Sequence, residues 1–343
     1  MKHTIAVLLT LLLMPSQADS AELDLRVQHR RPIAAVLLDG GRMLCVANRR
    51  SGTVSVVDVA ARSVFEKQIG QQLSDIIALP GSDCLLVTDF AGGLVIVVKP
   101  SMDGLRIVDR VEVPASPESI AVNESGGFVC VASLWSRRLT ILSRDSSVVS
   151  NDADLKKLHQ LDLPFAPRAI AFVDSTRVVV ADSFGGRLVV VDCAAGTKTV
   201  EHDFPIHNVR NLALGNDRRL YLTCQRLNPK GYADREDIHW GILIENEILA
   251  IDVASLIDED RQGPLRPERI ALGGPGEGAG DPEAVLVTPE KLVVTLSGTG
   301  ELAIVERVGV RESRVATGSR PLDVVHDVAT NRAFVVNSVS DSV

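Results

Sequence analysis

The feature that most constrains this chain is a repeat. A short apolar run that follows a turn recurs seven times, ending at Asn48 (MLCVAN), Asp89 (LLVTD), Ser133 (FVCVAS), Asp182 (VVVAD), Cys224 (LYLTC), Leu296 (LVVTL) and Asn337 (AFVVN). Successive ends lie 41, 44, 49, 42, 72 and 41 residues apart. A fixed spacing of this length marks an array of one supersecondary unit. A second marker precedes each end by 14 to 16 residues: Pro32, Ser74, Pro117, Pro167, Val209, Pro282 and Pro321. In six units a third apolar run follows (TVSVVD, LVIVVK, LTILS, LVVVD, ILAID, LAIVE), and then a more polar fourth (VFEKQI, RIVDRVEV, HQLDL, TVEHDF, ERIAL, RESRVA). Gly, Asn, Asp and Ser between the runs suit short antiparallel connections. Four strands in a unit of this length is the period of a propeller blade. The predicted fold is all-β, a seven-bladed β-propeller of four-stranded antiparallel blades.

The last unit breaks the pattern. After Asn337 the chain reads SVSDSV and stops at Val343, which aligns with the first residue of a third strand. The last blade is therefore expected to be incomplete at the C-terminus, and the chain to be a piece of a longer one. Residues 23–28 (LDLRVQ) match the fourth-strand pattern and are a candidate to close the ring from the other end.

Residues 1–20 read as a targeting segment. Lys2 and His3 precede the apolar run IAVLLTLLLM; Pro15 ends it, and the small residues Ser16, Ala18 and Ser20 follow. A run of 10 residues is short against the roughly 30 Å of a bilayer core. The expectation is a cleaved signal peptide, a propeller over residues 21–343, and an exported protein, periplasmic or extracellular, with no membrane span after cleavage.

Composition excludes some functions. Hydrophobic residues make up 45%, enough for a large core. The net charge of −8 and the lack of a basic stripe disfavour a nucleic-acid partner. At 3% aromatics, a stacking surface for bases or sugars is not expected. The five cysteines, Cys45, Cys84, Cys130, Cys193 and Cys224, are widely spaced and contain no C-x-x-C pair. They read as small buried hydrophobes. Without C-x-x-C-H, no haem is attached to this chain and no cofactor is expected in it.

Candidate site residues come from the repeat. The first strand of a propeller blade is innermost, and its start faces one mouth of the central channel. The residues after the seven markers are Ile33, Asp75, Glu118, Arg168, Arg210, Glu283 and Leu322, of which five are charged. Asp75, Glu118, Arg168, Arg210 and Glu283 are thus candidate binding residues, the alternative being mutual pairing at a solvated rim. Two positions further on, Ala35, Ile77, Ile120, Ile170, Leu212, Val285 and Val324 are uniformly apolar, as packing between blades requires.

Unit five carries the large insertion, including LNPKGYADREDIHWGILIENE. It joins the second and third strands and so emerges on the face of the charged ring. A long loop in a tightly periodic fold is usually functional, and Tyr232, His239 and Trp240 are candidates to cover the mouth or dock a partner. The glycine-rich GGPGEGAGDPE precedes a strand rather than a helix and reads as a connector. An insertion in unit three predicts one helical turn over 154–159. His326 stands where other units carry Leu37, Leu79, Val122, Phe172, Leu214 and Val287, and is expected to be buried and hydrogen-bonded. No G-x-S-x-G, H-E-x-x-H or EF-hand loop occurs, so neither catalytic nor metal residues are assigned.

The unit seen in RPIAAVLLDGGRMLCVANRRSGTVSVVD and again in APRAIAFVDSTRVVVADSFGGRLVVVD resembles the YVTN-type seven-bladed propeller repeat, over residues 23–343. The G-H and W-D pairs of WD40 units are missing. The resemblance implies the fold strongly and the function weakly. The family includes exported proteins, lactonase-like enzymes and propeller parts of redox proteins, some preceding dihaem cytochrome c peroxidase-like domains. It implies that any haem would sit on a missing C-terminal domain, with a cytochrome domain as a possible partner. The leading expectation is an exported binding scaffold without catalysis of its own, taking a protein or small-molecule ligand. The alternatives are a propeller module of a cytochrome c peroxidase-like redox protein, or a lactonase-like hydrolase using Asp75, Glu118 and Glu283.

Overall fold

Val, Ile and Leu fill the second and third strands of each unit because β-branched and apolar side chains suit a pleated surface covered on both sides. A computed structural model of the chain describes residues 29–144, 154–239, 243–274, 277–308 and 311–343. The proposed signal segment and the candidate closing strand at 23–28 lie outside the described residues.

The strands assemble as expected into antiparallel sheets ordered from the axis outward. Blade one holds β1 (Pro32–Leu38), β2 (Met43–Asn48), β3 (Thr53–Asp58) and β4 (Ser63–Gln68). Blade two holds β5 (Leu73–Ala78), β6 (Leu85–Asp89), β7 (Leu94–Ser101) and β8 (Gly104–Glu112). Blade three holds β9 (Pro117–Val122), β10 (Phe128–Ser133), β11 (Arg138–Arg144) and β12 (Leu155–Asp162). Blade four holds β13 (Pro167–Phe172), β14 (Arg177–Asp182), β15 (Arg187–Asp192) and β16 (Thr197–Asp203). Blade five holds β17 (His207–Leu214), β18 (Arg219–Leu227), β19 (Ile244–Asp252) and β20 (Glu268–Leu272). Blade six holds β21 (Pro282–Val287), β22 (Lys291–Leu296), β23 (Glu301–Glu306) and β24 (Glu312–Ala316). The seventh sheet has only β25 (Pro321–Asp327) and β26 (Arg332–Asn337). The propeller therefore has six complete blades and a partial seventh, not seven full ones. Asn337 pairs with Ser342, as Asn48 pairs with Thr53 at the start of β3. The third-strand position is thus reached one residue earlier than the sequence alignment put it.

The ring nevertheless closes. The inner strand β1 packs against both β5 and β25. The amide of Ala35 donates to Asp323 Oδ2 at 2.9 Å, and Arg30 lies 3.5 Å from Asp341.

Burial follows strand position. All six residues of β2 are buried, whereas the fourth strand β4 has none buried. Each pair of neighbouring blades from one to six encloses its own apolar cluster, with ten or more buried residues. Ile96 and Val56 meet in the cluster between blades one and two, for example. The junction of blades seven and one encloses only Ala35, Leu44, Val46 and Val336. Beside it runs a groove of about 560 Å³ lined by Val46, Val57, Val64 and Phe334 among others.

Two local expectations change. β12 starts at Leu155, pairing along β11 from Arg138↔Asp162 to Arg144↔Leu155, so the helical turn expected over 154–159 is instead strand leading into the fourth strand read at HQLDL. The free edge of β11 offers backbone partners along its whole length, which outweighs the local polar composition. His326 is half-buried and hydrogen-bonded, its Nε2 standing 3.1 Å from Asn331 Oδ1 at the end of β25. All five cysteines are buried as expected, and burial pushes the Cys45 thiol up to about 12. Among the described residues no helix is long and apolar enough to cross a membrane.

The contrast between junctions sets a test. Ile96→Ala empties a fully buried position between blades one and two and is expected to cost about 2–5 kcal/mol. Val64, 61% exposed on the open side of blade one, is expected to tolerate alanine within about 0.5 kcal/mol. Urea unfolding of both variants checks this, and equal losses would contradict the asymmetry.

Candidate functional site at the channel mouth

Each inner strand starts with an irregularity. The pairing slips between Pro32 and Ala34, Leu73 and Asp75, Pro167 and Ile170, His207 and Asn211, Pro282 and Val285, and Pro321 and Asp323, and in blade three opposite Ala132 and Ser133. A bulge re-aims the side chain it releases. In five blades a left-handed residue comes just before: Arg31, Ser116, Asn208, Asp281 and Arg320 have φ between 50° and 65°. The repeated device turns Ile33, Ser74, Glu118, Arg168, Arg210, Glu283 and Leu322 toward the axis, where they line a cavity of about 140 Å³.

The ring differs from the expected one at one member. In blade two Leu73, not Ser74, pairs where five other units place their proline, so Ser74 takes the ring position. Asp75 belongs one layer deeper, with Ala34, Ser119, Asn211 and Asp323. The equivalent apolar residue behind it is Ile76 rather than Ile77. The missed layer is a set of clasps between blades. Asp75 Oδ2 accepts from the Ile120 amide at 3.0 Å, and its Oδ1 from the Ile76 amide at 2.8 Å. Asp323 receives Ala35 and Val324 in the same way, and Asn211 Oδ1 accepts from Val285 at 3.3 Å. The Ser119 hydroxyl donates to the Arg168 carbonyl. The signal was a polar residue recurring inside apolar inner strands.

The ring charges pair only in part. Arg49 reaches Glu118 at 3.3 Å and lies over the Phe90 ring at 4.8 Å. Arg168 stands 3.5 Å from Glu283, whose side chain is only 9% exposed. Burial holds the Glu283 carboxyl above its usual range, although Arg168, Arg210 and Arg320 pull the other way. Burial likewise pushes Asp75 up to about 7 against its two backbone hydrogen bonds, and raises Asp323. Arg210 makes no ion pair among the described residues; burial and the neighbouring Arg168 lower its pKa.

More cations gather on this face than the ring positions indicated. Arg31, Arg49 and Arg50 line an adjoining groove of about 580 Å³ with Gln71 and Gln72. On the same face Trp135 and Phe184, from the turns after β10 and β14 in blades three and four, stack with centroids 5.8 Å apart. They are 63% and 53% exposed. The low aromatic fraction thus hid a stacking pair, because a fraction says nothing of where residues meet. The available signal was that, in the first four units, a basic or aromatic residue lies within two positions of the second strand's end: Arg49, Arg50, Phe90, Trp135 and Phe184.

The unit-five insertion extends the hairpin of β18 and β19 beyond the mouth through the pairs Arg226↔Glu245 and Leu227↔Ile244. Its base is braced by Arg226 and Arg269 on the buried Glu247. The short helix α1 (Arg235–His239) lies near its tip. Tyr232 is 74% exposed and does not line the channel cavity. His239 falls in α1, and Trp240 lies outside the described residues. The glycine-rich stretch connects β20 to β21, as expected of a connector. A larger cavity of about 610 Å³ opens on the opposite face, but its Asp217, Tyr221 and Arg307 engage one another. Among the described residues no group of three or more His, Cys, Asp or Glu is placed to hold a metal.

The raised Asp75 has a measurable consequence. The folded chain holds this proton more tightly than the unfolded one, so the associated stability is complete below about pH 4 and is lost as pH rises through about 7. Asp75→Asn keeps an acceptor for Ile120 and removes the titration. From pH 5 to 8 the wild type is expected to lose stability relative to this variant, by on the order of 1–4 kcal/mol. Glu283 and Asp323 leave a residual slope of the same sign. Melting curves across this range check it, and parallel profiles would contradict the assignment.

Comparison by sequence matches no protein-family model and no curated protein, so the YVTN-type family is not shown. Comparison by structure is positive. The chain is similar to a Kuenenia stuttgartiensis hydrazine synthase structure, with TM-score 0.77 and 16% identity over 93% of this chain and 96% of that one. It is similar to a catalytically inactive virginiamycin B lyase from Staphylococcus aureus with quinupristin, with TM-score 0.64 and 12% identity over 88% and 90%. It is also similar to a putative 6-phosphogluconolactonase from Bacteroides fragilis, with TM-score 0.63 and 14% identity over 85% of both chains. At these identities the likeness establishes the fold, a β-propeller, and nothing of the chemistry.

Proposed function

We propose that the chain is a binding scaffold without catalysis of its own, whose channel mouth takes the carboxylate or phosphate head of a small organic anion. The observation that carries this reading is Arg210, a half-buried guanidinium aimed into the cavity beside Arg168 with no carboxylate at ion-pair distance among the described residues. A cation in such a place is incompletely compensated, and an anionic ligand supplies the missing charge. Burial of Asp75, which raises its carboxyl to about 7, acts in the same direction, since a carboxyl that retains part of its proton leaves the arginines to dominate the local field. A cavity of about 140 Å³ suits a compact head group and a few waters. The Trp135–Phe184 stack offers a flat apolar seat on the same face for the rest of the molecule. The blade-five hairpin, with Tyr232, flanks that face as a second contact element.

A lactonase-like hydrolase is the second reading. It is favoured by one observation, two carboxyls of raised pKa in a cavity that also holds arginines. Against it, both Asp75 oxygens accept backbone amides and Glu118 faces Arg49. Lactone turnover that is lost in Glu283→Gln would establish this reading in place of the first.

Calorimetric titration with inorganic phosphate and with phenyl phosphate tests the scaffold. Arg210→Gln is expected to weaken both about 10-fold or more, the worth of one charge-assisted hydrogen bond. Trp135→Ala is expected to weaken only phenyl phosphate. Unchanged affinity in Arg210→Gln, or no binding of either anion by the unsubstituted chain, would overturn the proposal.

A further inference from the structure

Two cysteines from different blades meet across one junction. Cys130 lies in β10 of blade three, paired in register with Ala121 on one side and Ile141 on the other. Cys193 directly follows β15 of blade four. Their Sγ atoms stand 3.5 Å apart, with both side chains fully buried among Leu139, Ile141, Phe165, Val180 and Val191. Cys45, Cys84 and Cys224 sit in three other clusters. A thiol–thiol contact is a weak hydrogen bond, whereas a disulfide is about 2.05 Å long. The two sulfurs thus need to approach by only about 1.5 Å, a shift that side-chain rotation and slight relaxation supply.

We propose that Cys130 and Cys193 are a disulfide site, oxidised by a small-molecule disulfide to a covalent staple between blades three and four. The thiolate of one cysteine attacks a sulfur of the oxidant and expels one thiolate. The second cysteine, as its thiolate, then attacks the protein sulfur of the mixed disulfide and expels the other. Two protein thiols become one disulfide, the oxidant is reduced to two thiols, and the two protons lost by the cysteines are taken up by the departing thiolates. Burial in the closed ring raises the Cys130 pKa and keeps oxidant out, so the reaction belongs to folding, before the two blades close on each other. The bond joins residues 63 apart in sequence and so restricts the unfolded chain over a long loop. The same junction carries the Trp135–Phe184 stack and the Ser119–Arg168 clasp toward the mouth, so the staple pins from below the blades that hold the aromatic seat in place.

Refolding the full chain from denaturant in a mixture of glutathione and glutathione disulfide, then unfolding it and alkylating with N-ethylmaleimide, provides the test. The expected product carries three alkylated cysteines out of five, with the remaining two thiols missing about 2 Da, their two hydrogens. Digestion is expected to give one linked peptide pair containing Cys130 and Cys193 that separates on reduction. The oxidised chain is expected to melt at a higher temperature than the reduced one, a difference that vanishes in Cys193→Ala. Five alkylated cysteines, or a linkage between any other pair, would overturn the proposal on the unsubstituted chain, whether or not the variant folds. A melting shift that survives in Cys193→Ala would do the same.

Discussion

No blade of this protein can cover both of its own faces, and the rest of the structure depends on the neighbour that does so. The middle strands are apolar on both sides; in β2 every residue is buried, though a lone four-stranded sheet would leave each of them against water. Roughly 25 cal/mol is gained per Å² of apolar surface removed from water, so the stabilisation is located in the clusters between sheets rather than within them. Each cluster belongs to two blades, and stability propagates from neighbour to neighbour as in other repeat arrays. Closure adds what an open array lacks: the first and last blades hold each other through the Ala35–Asp323 hydrogen bond and the Arg30–Asp341 contact.

That closure also creates the site. Inner strands that pack side by side around an axis bring their first residues together, and a bulge in each turns one of those residues inward. The charges meeting there are of mixed sign, and their direct attraction is modest: the Arg168–Glu283 contact is 3.5 Å long. In a confined space the loss of hydration outweighs such a contact, which is why Glu283 titrates above its usual range beside three arginines. Arginine does not escape by neutralising. The mouth thus joins a carboxyl whose pKa burial raises to guanidiniums that keep their protons.

The sequence shows the blades clearly and the mouth less so. Strand and turn chemistry repeat with the unit, so the strands of the six complete blades could be read from Val, Ile and Leu runs between glycines and aspartates. The ring was placed one residue wrong in blade two, where Leu73 replaces the proline marker and the charge of Asp75 drew the frame toward itself. Only the backbone pairing distinguishes a side chain released by a bulge from the next one held in the sheet. The clasp residues Ser119, Asn211 and Asp323 were visible as polar letters in apolar strands, yet their partners are backbone groups of the following blade, a carbonyl for Ser119 and amides for the other two, and have no letter of their own. Trp135 and Phe184 lie 49 residues apart and meet only because adjacent blades repeat the same turn. The strand at 155–162 shows the reverse case, in which pairing with β11 overrides a polar local sequence.

The junctions are unequal, and one that is thinly filled borders the candidate site. Between blades seven and one only four buried apolar residues form the cluster, and Val57 and Val64 of blade one lie along an open groove that Phe334 of β26 also lines. This seam is one place where the ring is expected to open, because among the described residues the junctions of the two-stranded seventh sheet hold none of the large apolar clusters found between blades one to six. Ile33 and Leu322, the two apolar members of the ring, flank it, whereas the four charged members sit on blades three to six. The cationic part of the mouth is thus carried by an arc whose clusters remain intact when the seam loosens. The Cys130–Cys193 contact lies within that arc, remote from the seam. The proposed binding surface is thus built from neighbouring blades of that arc, each joined to the next by a large buried apolar cluster.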